Sequence, residues 1–482
     1  MIETTFDDEW FFRHRRWLLA PLARDVDTGR PLRAPIMRAC ESVRRGSAAR
    51  HRSDDHRREL KEQTLSRLAP RHAGAVRAHL AFYRACLEST ALVAADDLIH
   101  SAVQIEWLWY SSGFKAFYRD HLAHVMKVAA TALHLIQDPE GPLSRPAAGA
   151  GSGAGEPARQ PAAVWAARQL ADGELGCEAL RCTARRLGNS EESIKKPDFW
   201  RYAMLEAMKL AGLLHDMAYP SIMARKVLRA VEPANAFYPF EVQPAHALDR
   251  ALAAVSRTLA GAPFNRGKLP DSTLAGEDRE ICAQVLEESH SLQAAVSILG
   301  FRDQADRYWR LDPFEAFVIE WAALATELHD YDKLFEQRPQ AVGAHGPGDA
   351  AKSPLTAWLA RDSNLDAIRP CFSNDPVSYL VAFADQIQDF GRLHYDWRRH
   401  PSAGDDELGA RLVYPWRSVT LRVEGSGGGG SAPEATLLYA PDGGSDLWER
   451  KKKDLGKIFG ESGWLRSSGL IDRFKFELAG SP

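Results

Sequence analysis

The feature that most constrains the fold of this chain is a histidine–aspartate pair at the end of an apolar helix. Met208, Ala211 and His215 recur at intervals of three and four residues, which places them on one helix face. Asp216 follows directly, and Pro220 ends the helix soon after. Burying both side chains is costly unless each is paired. The pair therefore predicts a bound metal ion, or a histidine–carboxylate hydrogen bond as the structural alternative.

Similar polar residues interrupt four other apolar segments that read as helices. Asp385 shares a face with Val377 and Val381 in one of them, and small alanines beside His329 leave room for a ligand in another. Imidazole and carboxylate ligands suit Mn, Fe, Zn or Mg. The candidate residues in these segments are His121 with His124, His290, His329 with Asp330, and Asp385.

Each of these signals is weak when it is taken alone. A histidine on an apolar helix face is more often a hydrogen-bonded core residue than a metal ligand. A third interpretation is a purely helical scaffold in which hydrogen bonds satisfy these residues. Their positions beside apolar stripes would then be a coincidence. Their occurrence in the order His, His-Asp, His, His and Asp favours one shared metal site.

Three of the segments resemble motifs of the HD superfamily of metal-dependent phosphohydrolases and phosphodiesterases. The run His124–Ala129 resembles the helix of the first histidine, and Leu213–Asp216 resembles the signature doublet. Ala384–Ile387 is similar to the terminal aspartate motif. The resemblance extends over roughly residues 106–395. Many members follow the doublet with glycine and a basic residue, but Met217–Pro220 stands there in this chain and leaves the general acid unassigned.

The resemblance implies one or two divalent ions, of Mn, Fe, Mg or Zn, held by residues on separate helices. Asp216 would bridge two ions and take part in catalysis, and Asp330 could orient the attacking water. His121 is an alternative ligand or a supporting residue. The implied metal ligands are His124, His215, Asp216, His290, His329 and Asp385. Basic residues that could contact phosphate are Arg119, Lys127, Lys333 and Arg392, and Asp120 is a second candidate to orient water.

The fold class predicted for the chain is mainly α. Residues 1–105 read as a helical N-terminal region, and residues 106–400 as an HD-type helical bundle with a flexible insertion at 145–162. Residues 401–482 read as a small α+β appendage, because Ser418–Val423 alternates like a strand, with Ala435–Tyr439 as a hairpin partner. A lysine-rich helix at Leu447–Phe459 and a strand at Arg473–Leu478 complete it.

The function that follows is hydrolysis of a phosphate ester, a nucleotide or a cyclic nucleotide phosphodiester, by metal-activated water. The alternative is an inactive module of the same fold that binds a nucleotide or a partner protein. A net charge of −3 gives no global field for nucleic acid, which is not indicated but stays open, as does a homo-oligomer. Scattered cysteines and the lack of a signal peptide or an apolar run of ~18 residues predict a cytoplasmic protein without membrane contact.

Overall fold

A computed structural model describes the chain in several separate ranges. These ranges are residues 1–19, 81–87, 121–146, 159–175, 178–218, 289–309, 311–331, 369–390, 394–395, 412–413, 416–424, 433–441, 447–460, 463–465, 470–471 and 473–479. The structure is mainly helical with a small sheet, which confirms the predicted class in its coarse form.

Residues 81–87 form one helix of the described structure, and the remaining helices are numbered α1 to α11 in chain order. The helices are α1 (Asp8–His14), α2 (Arg16–Leu19), α3 (His121–Gln137), α4 (Ala162–Asp172), α5 (Glu178–Arg186), α6 (Glu191–Ile194), α7 (Pro197–Leu214), α8 (His290–Trp309), α9 (Pro313–Leu328), α10 (Pro376–Ile387) and α11 (Trp448–Phe459). The strands are β1 (Ile2–Phe6), β2 (Arg145–Pro146), β3 (Arg159–Gln160), β4 (His394–Tyr395), β5 (Leu412–Val413), β6 (Trp416–Glu424), β7 (Glu434–Pro441) and β8 (Arg473–Leu478). Helix α4 ends at Gly173, which adopts φ 78°, and α5 follows as a separate helix.

Capping residues fix where the long helices begin. Asp312 caps α9 and forms a capping box with Glu315. Asp375 caps α10, and its carboxylate also accepts a hydrogen bond of 2.7 Å from the indole of Trp321 on α9. Proline occupies the first turn of α7, α9 and α10, where the missing N–H costs nothing. The cap of α10 therefore also joins it to α9.

Helix α7 lies at the centre of the helical part and packs against α3, α4, α9 and α10. Its crossing with α3 is especially close, because a Cβ on Gly212 would lie 2.6 Å from the Cα of Ala129. Only glycine permits this approach of two backbones. The crossing lies five residues from His124 on α3 and three residues from His215, so it sets the separation of these two histidines.

The sheet joins residues from both ends of the described chain, in the order β1-β6-β7-β8. β6 and β7 form the predicted antiparallel hairpin, with Leu421 opposite Leu437, and β8 pairs parallel to β7. β1 pairs antiparallel with β6, with Phe6 opposite Val419. The N-terminal segment was predicted to be helical, and strand β1 is a difference from that prediction.

A two-stranded sheet and the N-terminal helices pack around the helices and the large sheet. β2 and β3 close the base of the predicted insertion, where the guanidinium of Arg159 donates to the hydroxyl of Ser144 at 2.8 Å. Helices α1 and α2 pack on α3. Among the described residues, no helix combines the length and the apolar character that a membrane span needs.

Candidate metal centre

A first group of possible ligands forms where α3, α7 and α10 meet. His124 lies on α3, His215 directly follows α7, and Asp385 lies near the end of α10. The Nε2 atoms of His124 and His215 are 3.2 Å apart. Asp385 Oδ1 lies 3.0 Å from His124 Nε2 and 3.5 Å from His215 Nε2. Each residue thus offers a ligand atom within 4.8 Å of the others, so this first group can hold a metal ion.

The hydrogen-bond partners of the two Nδ1 atoms, which face away from the group, determine which nitrogen of each ring carries the proton. His215 Nδ1 lies 2.9 Å from the carbonyl oxygen of Gly212, and a carbonyl can only accept. His124 Nδ1 contacts the side-chain oxygen of Gln388. Both Nδ1 atoms therefore carry the proton in the neutral rings, and both Nε2 atoms present lone pairs. Two facing lone pairs beside a carboxylate need a positive charge between them, which a divalent cation supplies.

A second group consists of His290, His329 and Asp216. The Nε2 atoms of His290 and His329 are 3.2 Å apart, and Asp216 Oδ1 lies 3.4 Å from His290 Nε2. His329 Nδ1 donates to the carbonyl oxygen of Thr326 at 2.5 Å, so the lone pair of its Nε2 faces inward. His290 Nδ1 lies 3.5 Å from Asp330 Oδ2. As in the first group, two Nε2 atoms face each other, and a carboxylate lies near one of them.

Asp216 lies between the two groups. Its Oδ2 is 3.5 Å from His215 Nε2 and 3.6 Å from His124 Nε2, while its Oδ1 faces His290. His121 Nδ1 approaches the same Oδ2 at 3.4 Å. The ligand atoms of His215, Asp216 and His329 also lie within 4.8 Å of one another. A carboxylate in this position can contribute one oxygen to each group.

The charges within the cluster depend strongly on one another. Burial opposes ionisation of His215, but the carboxylates of Asp216 and Asp385 outweigh it and raise its pKa to about 9. Burial also opposes the charge of Asp216, yet His215 and the hydrogen bond from His121 hold its pKa well below the ordinary range. Burial, reinforced by His215 and His290, lowers the pKa of His329 to about 4. A proton on His215 thus supplies part of the positive charge that a cation would supply.

Most of the predicted site residues meet in this cluster. His124, His215, Asp216, His290 and His329 are at most 6% exposed, and Asp385 is partly buried. Asp330 contacts the outer nitrogen of His290, and His121 contacts Asp216. Arg119, Asp120, Lys333 and Arg392 lie outside the described residues.

Lys127 was predicted to contact phosphate, but its ammonium group contacts other parts of the protein. Its ammonium group lies 2.6 Å from Asp8 of α1 and donates to the carbonyl oxygen of Phe390 at 3.3 Å. It is buried and its charge is already paired, so it joins α3 to α1 and to the chain after α10. Gln388 was missed from the sequence, because it lies one residue beyond the end of α10, where helical periodicity does not assign a face.

Comparisons with protein-family models, with curated proteins and with solved structures found no match to this chain. The case for the site therefore rests on its own residues. Four imidazoles and two carboxylates suit a divalent ion of the Mn, Fe or Zn type, and the buried Nε2 lone pairs fit such an ion.

Proposed function

We propose that this protein is a cytoplasmic, metal-dependent hydrolase of phosphate esters, of the HD-superfamily type. Its substrate would be a nucleotide or a cyclic nucleotide phosphodiester. The observation that carries the proposal is the pair of facing histidine groups with Asp216 between them. The order of these residues along the chain, which resembles the HD pattern, supports the choice of chemistry. The scattered cysteines support the location.

In this proposal the two groups hold one or two divalent ions. Such ions polarise a phosphoryl oxygen and lower the pKa of water to about 7. His124, His215 and Asp385 would form one site, and His290 and His329 the other, with Asp216 shared. The burial of all four histidines limits the access of bulk water, which would strengthen their electrostatic interactions with bound ions.

Asp330 has a proposed role that differs from the sequence prediction. Its carboxylate lies 3.5 Å from the outer nitrogen of His290. A carboxylate there fixes the tautomer and the ring orientation of a ligating histidine. We therefore assign Asp330 the positioning of His290 rather than the orientation of water.

The experiment combines metal analysis with hydrolysis of bis(p-nitrophenyl) phosphate in the presence of Mn²⁺. The native protein should bind Mn²⁺ and hydrolyse the ester. Asp216→Asn should lose both properties. Asp138→Asn is the matched control, because Asp138 also contacts a histidine of α3, His134 at 3.3 Å, but lies more than three helical turns from His124.

The outcomes separate the enzyme from the alternative of an inactive binding module. Metal binding without hydrolysis of this ester or of nucleotide substrates would refute the catalytic proposal and favour the module. A native protein that binds no divalent ion would refute the metal site as well. Equal loss of activity in Asp138→Asn and Asp216→Asn would show that the effect of Asp216→Asn is not specific to the cluster.

A further inference from the structure

The end of α10 and the residues that follow it contact the candidate metal centre behind its ligands. Gln388 is fully buried there, one residue beyond the end of the helix. Its side-chain oxygen contacts His124 Nδ1, and its side-chain nitrogen donates to the carbonyl oxygen of Phe390 at 3.1 Å. The amide thus connects a ligand of the first group to residues 386–390, which we call the 386–390 segment.

The two contacts fix the orientation of the Gln388 amide. The carbonyl of Phe390 can only accept a hydrogen bond, so the NH₂ group of Gln388 must face it. The amide oxygen then faces His124 and can only accept. His124 must therefore donate from Nδ1, and its Nε2 keeps the lone pair that faces His215.

The two other histidines with such contacts obtain their orientation locally. His215 donates to Gly212 and His329 donates to Thr326, each three residues earlier in the same chain segment. Forming the end of the helix therefore orients those rings. His124 instead contacts a residue 264 positions away in sequence, so its orientation depends on the packing of distant segments.

Residues from both ends of the chain hold the 386–390 segment. Lys451 of α11 donates to the carbonyl oxygen of Gln386 at 3.0 Å and lies 2.6 Å from the carboxylate of Asp389. Phe390 stacks on Phe6 of β1, with ring centroids 6.1 Å apart. The sheet and α11 thus support the segment that contacts His124.

We propose that Gln388 is a positioning residue that fixes the tautomer of His124 and thereby sets the affinity of the first group for metal. The expected effect on metal affinity rests on the proposed function. The hydrogen bonds that fix the tautomer of His124 do not depend on it. Gln388 does not need to touch substrate or metal, and it acts only through His124.

The test compares Gln388→Met with Gln388→Glu. Methionine keeps the length of the side chain but removes the strong acceptor. Glutamate keeps an acceptor for His124, and both variants lose the donor to the carbonyl oxygen of Phe390. Loss of such a supporting contact lowers metal affinity by about 10–100-fold. We expect Gln388→Met to bind Mn²⁺ more weakly by that factor, and Gln388→Glu to bind within a few-fold of the native protein. Gln160→Leu is the control, because that amide donates to the carbonyl of Pro146 away from the centre.

A second measurement reads the tautomer directly in the metal-free protein. Nitrogen-15 NMR of histidine-labelled protein, assigned with His124→Asn, should show the proton of His124 on Nδ1. Gln388→Met should shift this ring toward the Nε2-protonated form. A native His124 protonated on Nε2, or an unchanged tautomer and Mn²⁺ affinity in Gln388→Met, would overturn the proposal.

The two readouts distinguish the failure of this inference from the failure of the proposed function. If the native protein binds no Mn²⁺, the metal site fails, and the NMR measurement still decides the role of Gln388. If Mn²⁺ binds but its affinity does not respond to Gln388→Met, the positioning role fails and the metal site stands. If Gln388→Met does not fold, the spectrum of the native protein still determines the tautomer of His124.

Discussion

Gly212 lies where α7 crosses α3, between the two histidines of the first group. A Cβ at this position would lie 2.6 Å from Ala129 Cα and 2.7 Å from Ala129 Cβ. One of these atoms belongs to the backbone, so no side-chain rotation relieves the contact. Gly212→Ala should therefore push the two helices apart and increase the distance between His124 and His215.

The magnitude follows from the distances at this crossing. Ordinary carbon–carbon contacts lie at about 3.5–4.0 Å, so the helices must separate by about 1 Å. Overpacking a core costs about 1–3 kcal/mol, and a contact with backbone belongs at the upper end. Alanine recovers about 1 kcal/mol of helix propensity relative to glycine. We expect the free energy of unfolding to fall by about 1–2 kcal/mol.

Urea unfolding followed by circular dichroism measures this loss, and Gly456→Ala is the matched control. A Cβ on Gly456 in α11 would meet no atom within 4 Å. That substitution should therefore stabilise the protein by about 0.5–1 kcal/mol through helix propensity alone. The two glycine-to-alanine changes should thus have opposite signs.

The same variant tests the metal centre. Metal–ligand distances tolerate about 0.2 Å, so a separation near 1 Å should weaken Mn²⁺ binding at the first group. Calorimetric titration of Gly212→Ala against Gly456→Ala measures this effect. If both variants are equally stable and bind Mn²⁺ equally well, the close crossing does not set the geometry of the site and the reasoning is refuted.

Three further predictions concern the residues that support the helices. Asp8→Asn should lower the free energy of unfolding by about 1 kcal/mol in urea unfolding, since it removes the ionic partner of buried Lys127 while Asp8 itself is half exposed. Asp375→Ala should cost about 2–4 kcal/mol in the same assay, because it removes the cap of α10 and leaves the indole N–H of Trp321 without its acceptor. Burial raises the pKa of Glu315 from 4.5 to about 7 against the hydrogen bond from Asp312, so the folded state holds this proton more tightly than the unfolded state. Its contribution to stability is fully present below about pH 4.5 and is lost as the pH rises through about 7, and Glu315→Gln should remove this part of the pH dependence.

Matched variants control these three measurements. Glu9→Gln removes an exposed partner of Arg13 at 4.0 Å and should leave stability unchanged. Ser190→Ala removes the cap of the short helix α6 and an exposed hydrogen bond to the hydroxyl of Ser193, and it should cost about 1 kcal/mol. A loss in Asp8→Asn no larger than in Glu9→Gln, or in Asp375→Ala no larger than in Ser190→Ala, would contradict the assigned contacts. An unaltered slope of stability against pH in Glu315→Gln would contradict the raised pKa.

The helices of the metal centre could be predicted because their information is local. The spacing of Met208, Ala211 and His215 predicts that these residues are buried, and they are, although α7 is buried on every face from Ala203 to Leu214. The order of the five segments predicted which histidines and aspartates would meet, since a single buried site satisfies them all. The described cluster brings together all six predicted ligands within a few ångströms.

What could not be predicted depends on contacts between distant segments. β1 alternates half-buried and exposed residues before the buried Phe6 over only five positions, and its partner β6 lies more than four hundred residues later. Lys127 follows His124 by three residues and was read as a phosphate contact, but Asp8 pairs with it from α1. Gln388 lies beyond the end of α10, where helical periodicity no longer assigns a face.

The two ligand groups differ in what holds them, and this difference leads to a final prediction. His329 in the second group is oriented by its own helix end, whereas His124 in the first depends on the 386–390 segment. Leu421→Ala removes a fully buried side chain of β6 and should loosen the sheet at a cost of about 2–5 kcal/mol. Because the sheet supports that segment through Phe6, Mn²⁺ binding should weaken at the first group and persist at the second. Titration should then show one weakened and one unaltered binding step. Equal weakening of both steps would mean that the two groups respond to the sheet as one unit, and unaltered binding at both would mean that the sheet does not support the first group.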